Sequence, residues 1–204
     1  MKYSSSRIFA WLLIATSCLA LTCLPAHSLA QSNTTIKIMP ESVRLRVNET
    51  AKIDLTIDQV SGLYGAEFRL QFSPDALEIV DAQPDQAGVQ IQAGTMPIPD
   101  FVVMNTVDNQ AGTIDYAVTQ LPPNEPGEGD GVIASLTVHA KTATSTQIQI
   151  ERFLLADTAG KSIEATSQHG QIKITGGSNW MLYILGAILL LGLVTGIGFI
   201  IIKK

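Results

Sequence analysis

The sequence contains very little cysteine, and all of it lies near the N-terminus. Among 204 residues only Cys18 and Cys23 are cysteines, and both fall within an apolar segment that ends before Gln31. The chain beyond that segment therefore carries neither a disulfide framework nor a thiolate metal site. Aromatic residues are also few, at 6% of the chain, and both tryptophans lie in the terminal apolar segments. This scarcity disfavours a sugar-binding surface built from stacked aromatic rings.

Basic residues are scarce in the middle of the chain. The segment from Gln31 to Asn179 holds all 18 acidic residues but only nine of the 13 lysines and arginines, a net charge of −9. Nucleic-acid binding and adhesion to an anionic membrane surface both require a basic face. We therefore expect neither partner, and we predict an acidic external domain of about 150 residues, which is long enough to form one core.

The same segment lacks the usual groups of an active site. It has two histidines, His139 and His169, no cysteine and no G-x-S-x-G motif. Three acids in one loop, Glu125, Glu128 and Asp130, could gather calcium, but the EF-hand spacing is absent. We interpret them as a solvated acidic loop, and we expect no enzyme activity, no cofactor and no metal site.

Residues 1–30 have the features of a signal peptide. Lys2 and Arg7 precede an apolar run over residues 8–24, and Ser28-Leu29-Ala30 has the small-x-small pattern that a signal peptidase accepts. The pattern predicts cleavage after Ala30. An uncleaved anchor and lipidation of Cys18 remain alternatives.

A second apolar segment lies close to the C-terminus. Residues 180–202 form an uninterrupted apolar run without charge, with Trp180 and Tyr183 at one boundary and Lys203-Lys204 at the other. As a helix this run would be about 33 Å long, which matches the hydrocarbon core of a bilayer. We predict one transmembrane helix in the plasma membrane, with the domain outside the cell and residues 203–204 as a short cytoplasmic tail.

The clearest strand pattern in the chain lies at residues 66–72. The apolar residues at 66, 68, 70 and 72 alternate with Glu67, Arg69 and Gln71. Successive side chains of a strand face opposite sides, so this pattern predicts a strand with one buried and one solvated face. Ser73-Pro74-Asp75 then favours a single helical turn.

Short strands with turn signals between them fill the rest of the domain. A loop rich in proline, glycine and glutamate is expected at residues 121–131, and no long amphipathic helix pattern is present. This organisation is typical of an all-β sandwich. The further predicted strands are residues 36–39, 43–47, 53–58, 77–80, 89–92, 101–107, 113–118, 132–140, 148–155, 163–165 and 171–175.

An ordered series of motifs resembles the cohesin domain family. The series is GLYGAEF at 62–68, FSPDALE at 72–78, GTI at 112–114 and GVIA at 131–134, within a similarity that covers residues 36–175. The resemblance implies a nine-stranded, cohesin-like jelly-roll β-sandwich, which fits the all-β class already predicted from the strand pattern. Combined with the two terminal segments, the predicted fold is an all-β, cohesin-like jelly-roll β-sandwich preceded by a signal peptide and followed by one transmembrane helix. The predicted organisation is a signal peptide (1–30), a polar leader (31–35), the sandwich (36–175), a linker (176–179), the transmembrane helix (180–202) and the tail (203–204).

The resemblance also implies a partner. Cohesins are non-catalytic modules that bind dockerins and so assemble polysaccharide-degrading enzymes, and calcium in such complexes belongs to the dockerin. Their dockerin face includes an asparagine and an acid on the strand that runs here from Gly65 to Phe72, and Gly65 and Glu67 stand at those positions. We therefore expect a protein partner on the solvated side of this strand and its neighbour. The candidate contact residues are Tyr64, Gly65, Glu67, Arg69, Gln71, Asp115 and Thr119.

Other functions of the same face stay open. Solvated residues of this kind are ordinary on an antiparallel sheet, in which case the domain is a structural surface or adhesion module. Direct carbohydrate binding is the other alternative, because cohesins are related in fold to carbohydrate-binding modules. Its candidate residues are Tyr64 and Phe101, although core packing is the expected role of Phe101.

Overall fold

The alternating pattern forms strands throughout residues 34–176, the part of the chain that the computed structural model describes. A strand with apolar residues at every second position has one face to bury, and two sheets stacked face to face bury all such faces together. Twelve strands lie within these residues: β1 (Thr35–Met39), β2 (Ser42–Arg46), β3 (Thr50–Leu63), β4 (Gly65–Gln71), β5 (Leu77–Val80), β6 (Gln92–Ala93), β7 (Phe101–Asp108), β8 (Thr113–Thr119), β9 (Gly127–Ala140), β10 (Ser145–Ala156), β11 (Thr166–Gln168) and β12 (Gly170–Thr175).

The strands form two six-stranded sheets. The back sheet has the order β11-β1-β3-β9-β5, with β6 also paired to β9, and the front sheet has the order β2-β12-β10-β4-β8-β7. Two pairs are parallel, β1 with β11 and β2 with β12, and the other pairs are antiparallel. The predicted all-β sandwich is thus confirmed. The implied count of nine strands becomes twelve in residues 34–176, where short strands such as β6 and β11 add to it.

The core lies between the two sheets. The predicted buried face of β4 is confirmed, because Phe68 and Leu70 are almost fully buried and Ala66 and Phe72 are nearly so. The rings of Phe68 and Phe153 stack with their centroids 6.5 Å apart. The back sheet contributes the buried side chains of β3 and β9, so both sheets depend on one apolar core.

The predicted helical turn after β4 is present, and a second turn joins β7 to β8. After β4, the Ser73 carbonyl accepts from Ala76 N and Leu77 N, which makes one helical turn. Between β7 and β8, the Asp108 carboxylate accepts from the backbone N–H groups of Gln110 and Ala111, each at 2.8 Å. These hydrogen bonds hold the pKa of Asp108 below its ordinary value.

Two asparagine side chains at the edge of the front sheet form hydrogen bonds with backbone groups outside that sheet. The amide of Asn109 accepts from Ile79 N at 2.8 Å and donates to Ile79 O at 2.9 Å. The amide of Asn105 does the same with Ile91, at 2.9 and 2.7 Å. Each amide bonds to the N–H and the C=O of one residue, as a paired strand would. It therefore satisfies backbone groups that the sheets leave unpaired.

Several predicted boundaries were wrong. The strand predicted at 53–58 is longer at both ends, since β3 runs from Thr50 to Leu63. The expected loop at 121–131 ends earlier, because β9 begins at Gly127 and pairs with Leu63 of β3. Residues 163–165 do not form a strand, and β11 begins at Thr166. Residues 89–92 do not form one continuous strand either; Val89 makes a single bridge to Val107, and β6 starts only at Gln92.

The predicted terminal segments lie outside the described residues. These are the signal peptide (1–30), most of the leader, most of the linker, the transmembrane helix (180–202) and the cytoplasmic tail (203–204). Between residues 34 and 176, no helix is long and apolar enough to cross a membrane.

Candidate functional site

Six of the seven predicted contact residues lie on the outer side of the front sheet, where the register of four strands arranges them in rows. Each row crosses β10, β4, β8 and β7 in that order. The first row is Ala156, Gly65, Thr119 and Phe101; the second is Leu154, Glu67, Ala117 and Met104; the third is Arg152, Arg69, Asp115 and Thr106; and the fourth is Gln149, Gln71, Thr113 and Asp108.

Six of the seven predicted residues share this outer face. Gly65 lies opposite Thr119, and Arg69 lies opposite Asp115. Glu67 and Gln71 follow on the same side of β4, as alternation requires. Tyr64 precedes β4, and its backbone carbonyl accepts from Gln120 N at 3.0 Å and from the Thr119 hydroxyl at 3.3 Å.

The third row carries a set of ion pairs, which we call the charged row: Arg69, Asp115, Glu151 and Arg152. The Arg69 guanidinium lies 3.5 Å from an Asp115 oxygen and 3.4 Å from a Glu151 oxygen. Arg152 donates to Glu67 of the second row at 3.1 Å. Solvent-exposed ion pairs contribute only about 0–1 kcal/mol each to stability. The charged row therefore adds little to the stability of the fold, and its three carboxylates, counting Glu67, outnumber the two guanidiniums.

The first two rows are mostly apolar, and we call this region the apolar half: Phe101, Val103, Met104, Ala117 and Leu154. Phe101 is 57% exposed and Leu154 is 53% exposed, although both are large apolar residues. Ile98 and Leu121 are exposed in neighbouring loops beside this region. Exposed apolar side chains that cluster in this way mark interaction surfaces on folded proteins.

The expected burial of Phe101 was wrong, and the reason is a β-bulge. The pairing of β7 with β8 shifts between Val102 and Met104, so Val103 is an extra residue. Val107 and Asn105 face inward, and strict alternation along the strand would place Phe101 on the same side. The bulge reverses this alternation and places Phe101 opposite Thr119 on the outer face.

A second bulge places two residues that the sequence pattern did not predict, Arg152 and Leu154, on the outer face. The pairing of β10 with β4 shifts between Ile150 and Arg152, with Glu151 as the extra residue. Alternation from the buried Ile150 would place residues 152 and 154 inside. The only sequence signal of the shift is that Phe153 and Leu155 are apolar at odd-numbered positions, whereas Ile150 is at an even-numbered position.

The outer side of the back sheet is different in character. Ion pairs and hydroxyl groups occupy it, among them Lys37 with Asp58 and the Ser135 hydroxyl with Asp54. The hydrogen bond and charge of Asp58 raise the pKa of Lys37. The large exposed apolar residues of this sheet are Met39 and Val80. The apolar surface among the described residues is thus concentrated on the front sheet.

Two of the three acids that could have gathered calcium, Glu128 and Asp130, accept hydrogen bonds from the backbone. Asp130 accepts from Gln59 N at 2.8 Å, and Glu128 accepts from Gly62 N at 2.9 Å. Both donors lie where the pairing of β3 with β9 is irregular. In residues 34–176, no three acids, histidines or cysteines are grouped closely enough to hold a metal ion.

The two histidines of the domain have structural contacts. The Nδ1 atom of His169 accepts from Ile150 N at 3.1 Å, next to the bulge in β10. His139 lies on β9 with its Nδ1 4.0 Å from a Glu78 oxygen. Neither histidine belongs to the four rows of the outer face.

Comparisons with known proteins agree with this fold. The family model described as the cohesin domain matches residues 35–174. Among solved structures, the chain is similar to a type II cohesin domain from the cellulosome of Acetivibrio cellulolyticus, with 17% identity, coverage of 68% of this chain and 94% of that chain, and a TM-score of 0.59. It is also similar to a type I cohesin–dockerin complex from Clostridium thermocellum, with 18% identity, coverage of 71% and 94%, and a TM-score of 0.58.

A third similar structure is a non-cellulosomal cohesin from the hyperthermophilic archaeon Archaeoglobus fulgidus. Its identity is 14%, the similarity covers 74% of this chain and 96% of that chain, and the TM-score is 0.56. At these identities the structures support the fold alone. No curated protein matches the chain.

Proposed function

The chain belongs to the cohesin domain family, and from this membership we propose that it is a non-catalytic module that docks a dockerin-type protein. The single observation that supports this role best is the concentration of exposed apolar side chains beside a charged row on the front sheet. The contact face in this proposal comprises the predicted residues together with Arg152, Leu154, Met104 and Phe101. Calcium, where the complex needs it, is supplied by the dockerin.

We propose further that docking occurs at the cell surface. The apolar run at 180–202 would anchor the chain in the plasma membrane, and the signal peptide would direct the domain outside. Cohesin–dockerin pairing on such an anchor would hold partner proteins close to the cell, in an assembly related to extracellular polysaccharide. The net negative charge of the domain fits an external protein partner better than nucleic acid.

A binding measurement tests the docking role. The full chain, purified in detergent, is immobilised and exposed to a panel of purified, calcium-loaded dockerin modules from the source organism and from the Clostridium thermocellum complexes. We expect at least one module to bind and the double variant Arg69→Ala with Leu154→Ala to lose that binding. The matched control, Lys52→Ala with Val80→Ala, makes similar changes on the back sheet and should bind as the parent does. A panel without any bound module contradicts the proposal.

Direct carbohydrate binding is the second candidate, favoured by one observation. Phe101 presents an exposed aromatic ring on the outer face, as a sugar-stacking site needs. Retention on an insoluble polysaccharide in the absence of any protein partner, together with its loss in Phe101→Ala, would support this candidate over docking.

A further inference from the structure

Three cations cluster at the β2 edge of the front sheet, and we call them the basic patch: Arg44, Arg46 and Lys173. Arg44 and Arg46 are exposed on β2, and Lys173 is exposed on the adjoining strand β12. In the register of these two parallel strands, Lys173 lies beside Arg44 and Thr175 lies beside Arg46. Neighbouring strands lie about 4.8 Å apart and alternate residues about 7 Å apart along a strand, so the three cations form one compact surface.

The basic patch has no acid among its neighbours on the sheet. Three rows of the outer face cross it: Ser42, Gln171 and Gln147; Arg44, Lys173 and Ser145; and Arg46 and Thr175. These rows contain three cations and no carboxylate. Glu49 is close in sequence, but its carboxylate accepts from the backbone N–H of Arg46 at 2.8 Å.

The cations of the basic patch are also unusual in lacking counter-ions. Four of the nine lysines and arginines between Gln31 and Asn179 pair with acids: Lys37, Lys52, Arg69 and Arg152. Within residues 34–176 the other five form no ion pair, and the basic patch accounts for three of these five. Like charges side by side on neighbouring strands repel each other. The patch is therefore complementary to an anionic surface outside the domain.

The basic patch lies where the domain continues into the predicted membrane segment. Strand β12 ends at Thr175, whose carbonyl accepts from Val47 N at 3.0 Å, directly after Arg46. Residues 176–179 then lead to the predicted span at 180–202, and four extended residues reach at most about 14 Å. The Debye length at physiological salt is about 8 Å, so an anionic bilayer at this distance attracts the patch once the linker is less than fully extended.

Acids occupy the opposite end of the domain. Strand β10 begins at Ser145, beside Lys173, and ends at Ala156, beside Gly65. Its 12 residues span about 36 Å. Asp157 follows this strand, and Glu128 lies nearby, bonded to the N–H of Gly62 at 2.9 Å. An anionic bilayer would attract the basic patch and repel the far end, so the charge distribution favours one orientation of the domain.

We propose that the basic patch binds the headgroups of anionic phospholipids in the membrane that anchors the chain, and so inclines the domain towards its β2 edge. This inference rests on the proposed anchoring at the cell surface and is independent of the docking partner. Strands β8 and β7 lie four and five positions from β2 in the sheet, about 19–24 Å away, which separates them from the lipid contact. The expectation of no adhesion to an anionic membrane came from the net charge of −9, an average that conceals this local cluster.

A fluorescence measurement on the full chain in vesicles tests the proposal. In a chain with Cys18 and Cys23 replaced by serine, Ser145→Cys carries a fluorophore beside the basic patch, and Thr158→Cys carries it at the opposite end. The vesicles consist of phosphatidylcholine alone or with about 30% phosphatidylglycerol, and both contain the same fraction of a lipid with a nitroxide on its headgroup. We expect quenching at position 145 to be about twofold or more stronger with phosphatidylglycerol, and quenching at position 158 to stay weak in both.

Charge variants show whether the basic patch causes the effect. Each cation near an anionic surface shifts the equilibrium between bound and free orientations by about fivefold, so Arg44→Gln with Lys173→Gln should abolish the additional quenching. The matched control, Lys52→Gln with Lys161→Gln, changes the net charge equally at positions away from the patch and should behave as the parent does. Urea unfolding of each variant establishes that the domain is folded.

Salt separates the lipid contact from the anchor. At about 0.5 M NaCl the additional quenching should disappear, because screening acts on exposed charges. Flotation of the chain with the vesicles should persist, because insertion of an apolar span does not depend on charge.

The outcomes distinguish this inference from the proposed anchoring. Equal quenching at position 145 in the two vesicle types, or a patch variant that behaves as the parent does, overturns the lipid contact while the anchor stands. A chain that does not float with either vesicle overturns both. If sedimentation in detergent shows a dimer that high salt and the patch variant abolish, the acidic end of a second copy occupies the basic patch, which also overturns the inference.

Discussion

The hydroxyl of Tyr116 is a buried polar group that the core does not satisfy. Tyr116 lies on the inner face of β8 with 1% of its surface exposed, and its Oη has no hydrogen-bond partner within the described part of the chain. Among residues 34–176, the Oε1 atom of Gln90 is the other buried side-chain atom without a hydrogen-bond partner. A buried hydroxyl that loses water without gaining a partner destabilises the folded state.

Replacing this tyrosine should therefore stabilise the protein. Tyr116→Phe keeps the ring and removes the unpaired hydroxyl, so we expect the free energy of unfolding at pH 7 to rise by about 1–2 kcal/mol. Urea unfolding measures the change. Tyr64→Phe, at a partly exposed position outside the core, serves as the control and should change stability by less than about 0.5 kcal/mol. A loss of stability in Tyr116→Phe would mean that the hydroxyl is hydrogen bonded after all.

The same substitution should alter the response to alkali. Burial raises the pKa of Tyr116 to about 12 in the folded chain, from an ordinary value of 10.0. Between these values the unfolded chain has already lost the proton and the folded chain still holds it, so the unfolded state binds fewer protons. Stability is therefore complete below pH 10 and falls as pH rises towards 12. Phenylalanine cannot ionise, so the advantage of Tyr116→Phe should widen over this window. A constant advantage from pH 9 to 12 would contradict the assigned cause.

At the scale of strands, side-chain amides complete the edge where the two sheets approach each other. The Asn109 amide donates to and accepts from the backbone of Ile79, and a carboxylate in its place can only accept. We expect Asn109→Asp to cost about 1–3 kcal/mol of unfolding free energy, because the Ile79 carbonyl loses its donor.

The neighbouring residue supplies a matched control for that substitution. Gln110→Glu makes the same amide-to-acid change one residue away, at an exposed side chain in the same turn beside Asp108. It tests whether added negative charge alone explains the effect, and we expect it to change stability by less than about 0.5 kcal/mol. Equal losses in both variants would show that charge repulsion, rather than the bond to Ile79, is responsible. Faster hydrogen exchange of the Ile79 amide in Asn109→Ala would locate the defect.

The orientation of a strand could be predicted from the sequence where its alternation of apolar and polar residues was unbroken. In β4 the period of two is unbroken from Ala66 to Phe72, so sequence alone gave the buried face and Glu67, Arg69 and Gln71 on the other side. The fold class followed from the same regularity.

The rest of the contact face could not be predicted because two strands break their alternation. The extra residues Val103 in β7 and Glu151 in β10 reverse which side chains face the core. The apolar–polar pattern of the sequence does not show where such a bulge occurs. Phe101 was therefore assigned to the core, and Leu154 was not recognised as a residue of the outer face. The roles of Glu128 and Asp130 were missed for a related reason, since their backbone partners on β3 are about 70 residues away in sequence and become neighbours only in the sheet.

At the scale of the whole molecule, the two outer faces of the sandwich differ in their surface chemistry. The back sheet presents ion pairs and hydroxyls to solvent, and the front sheet presents the apolar half and the charged row. Both draw on one core, so the contact face is held on rigid strands rather than on loops. A face that is already ordered before binding loses little conformational entropy when it is covered. This arrangement suits a docking module.

The proposed position of the domain leads to a prediction for the full chain. If residues 180–202 span the membrane, the protein expressed in its source organism or a bacterial host should sediment with membranes and resist extraction by high salt or carbonate, because insertion depends on apolar burial and not on charge. A chain ending at residue 176 should instead appear in the soluble fraction outside the inner membrane. Protease added to intact cells or spheroplasts should remove the domain, and a tag placed after Lys204 should stay protected.

Replacing Leu189 and Leu191 by arginine should release the full chain, since each charge at the centre of the span costs about 2.5–3.5 kcal/mol. Membrane association that survives both the truncation and the arginine pair would point to lipidation at Cys18 or to an uncleaved N-terminal anchor, and Cys18→Ala separates these two.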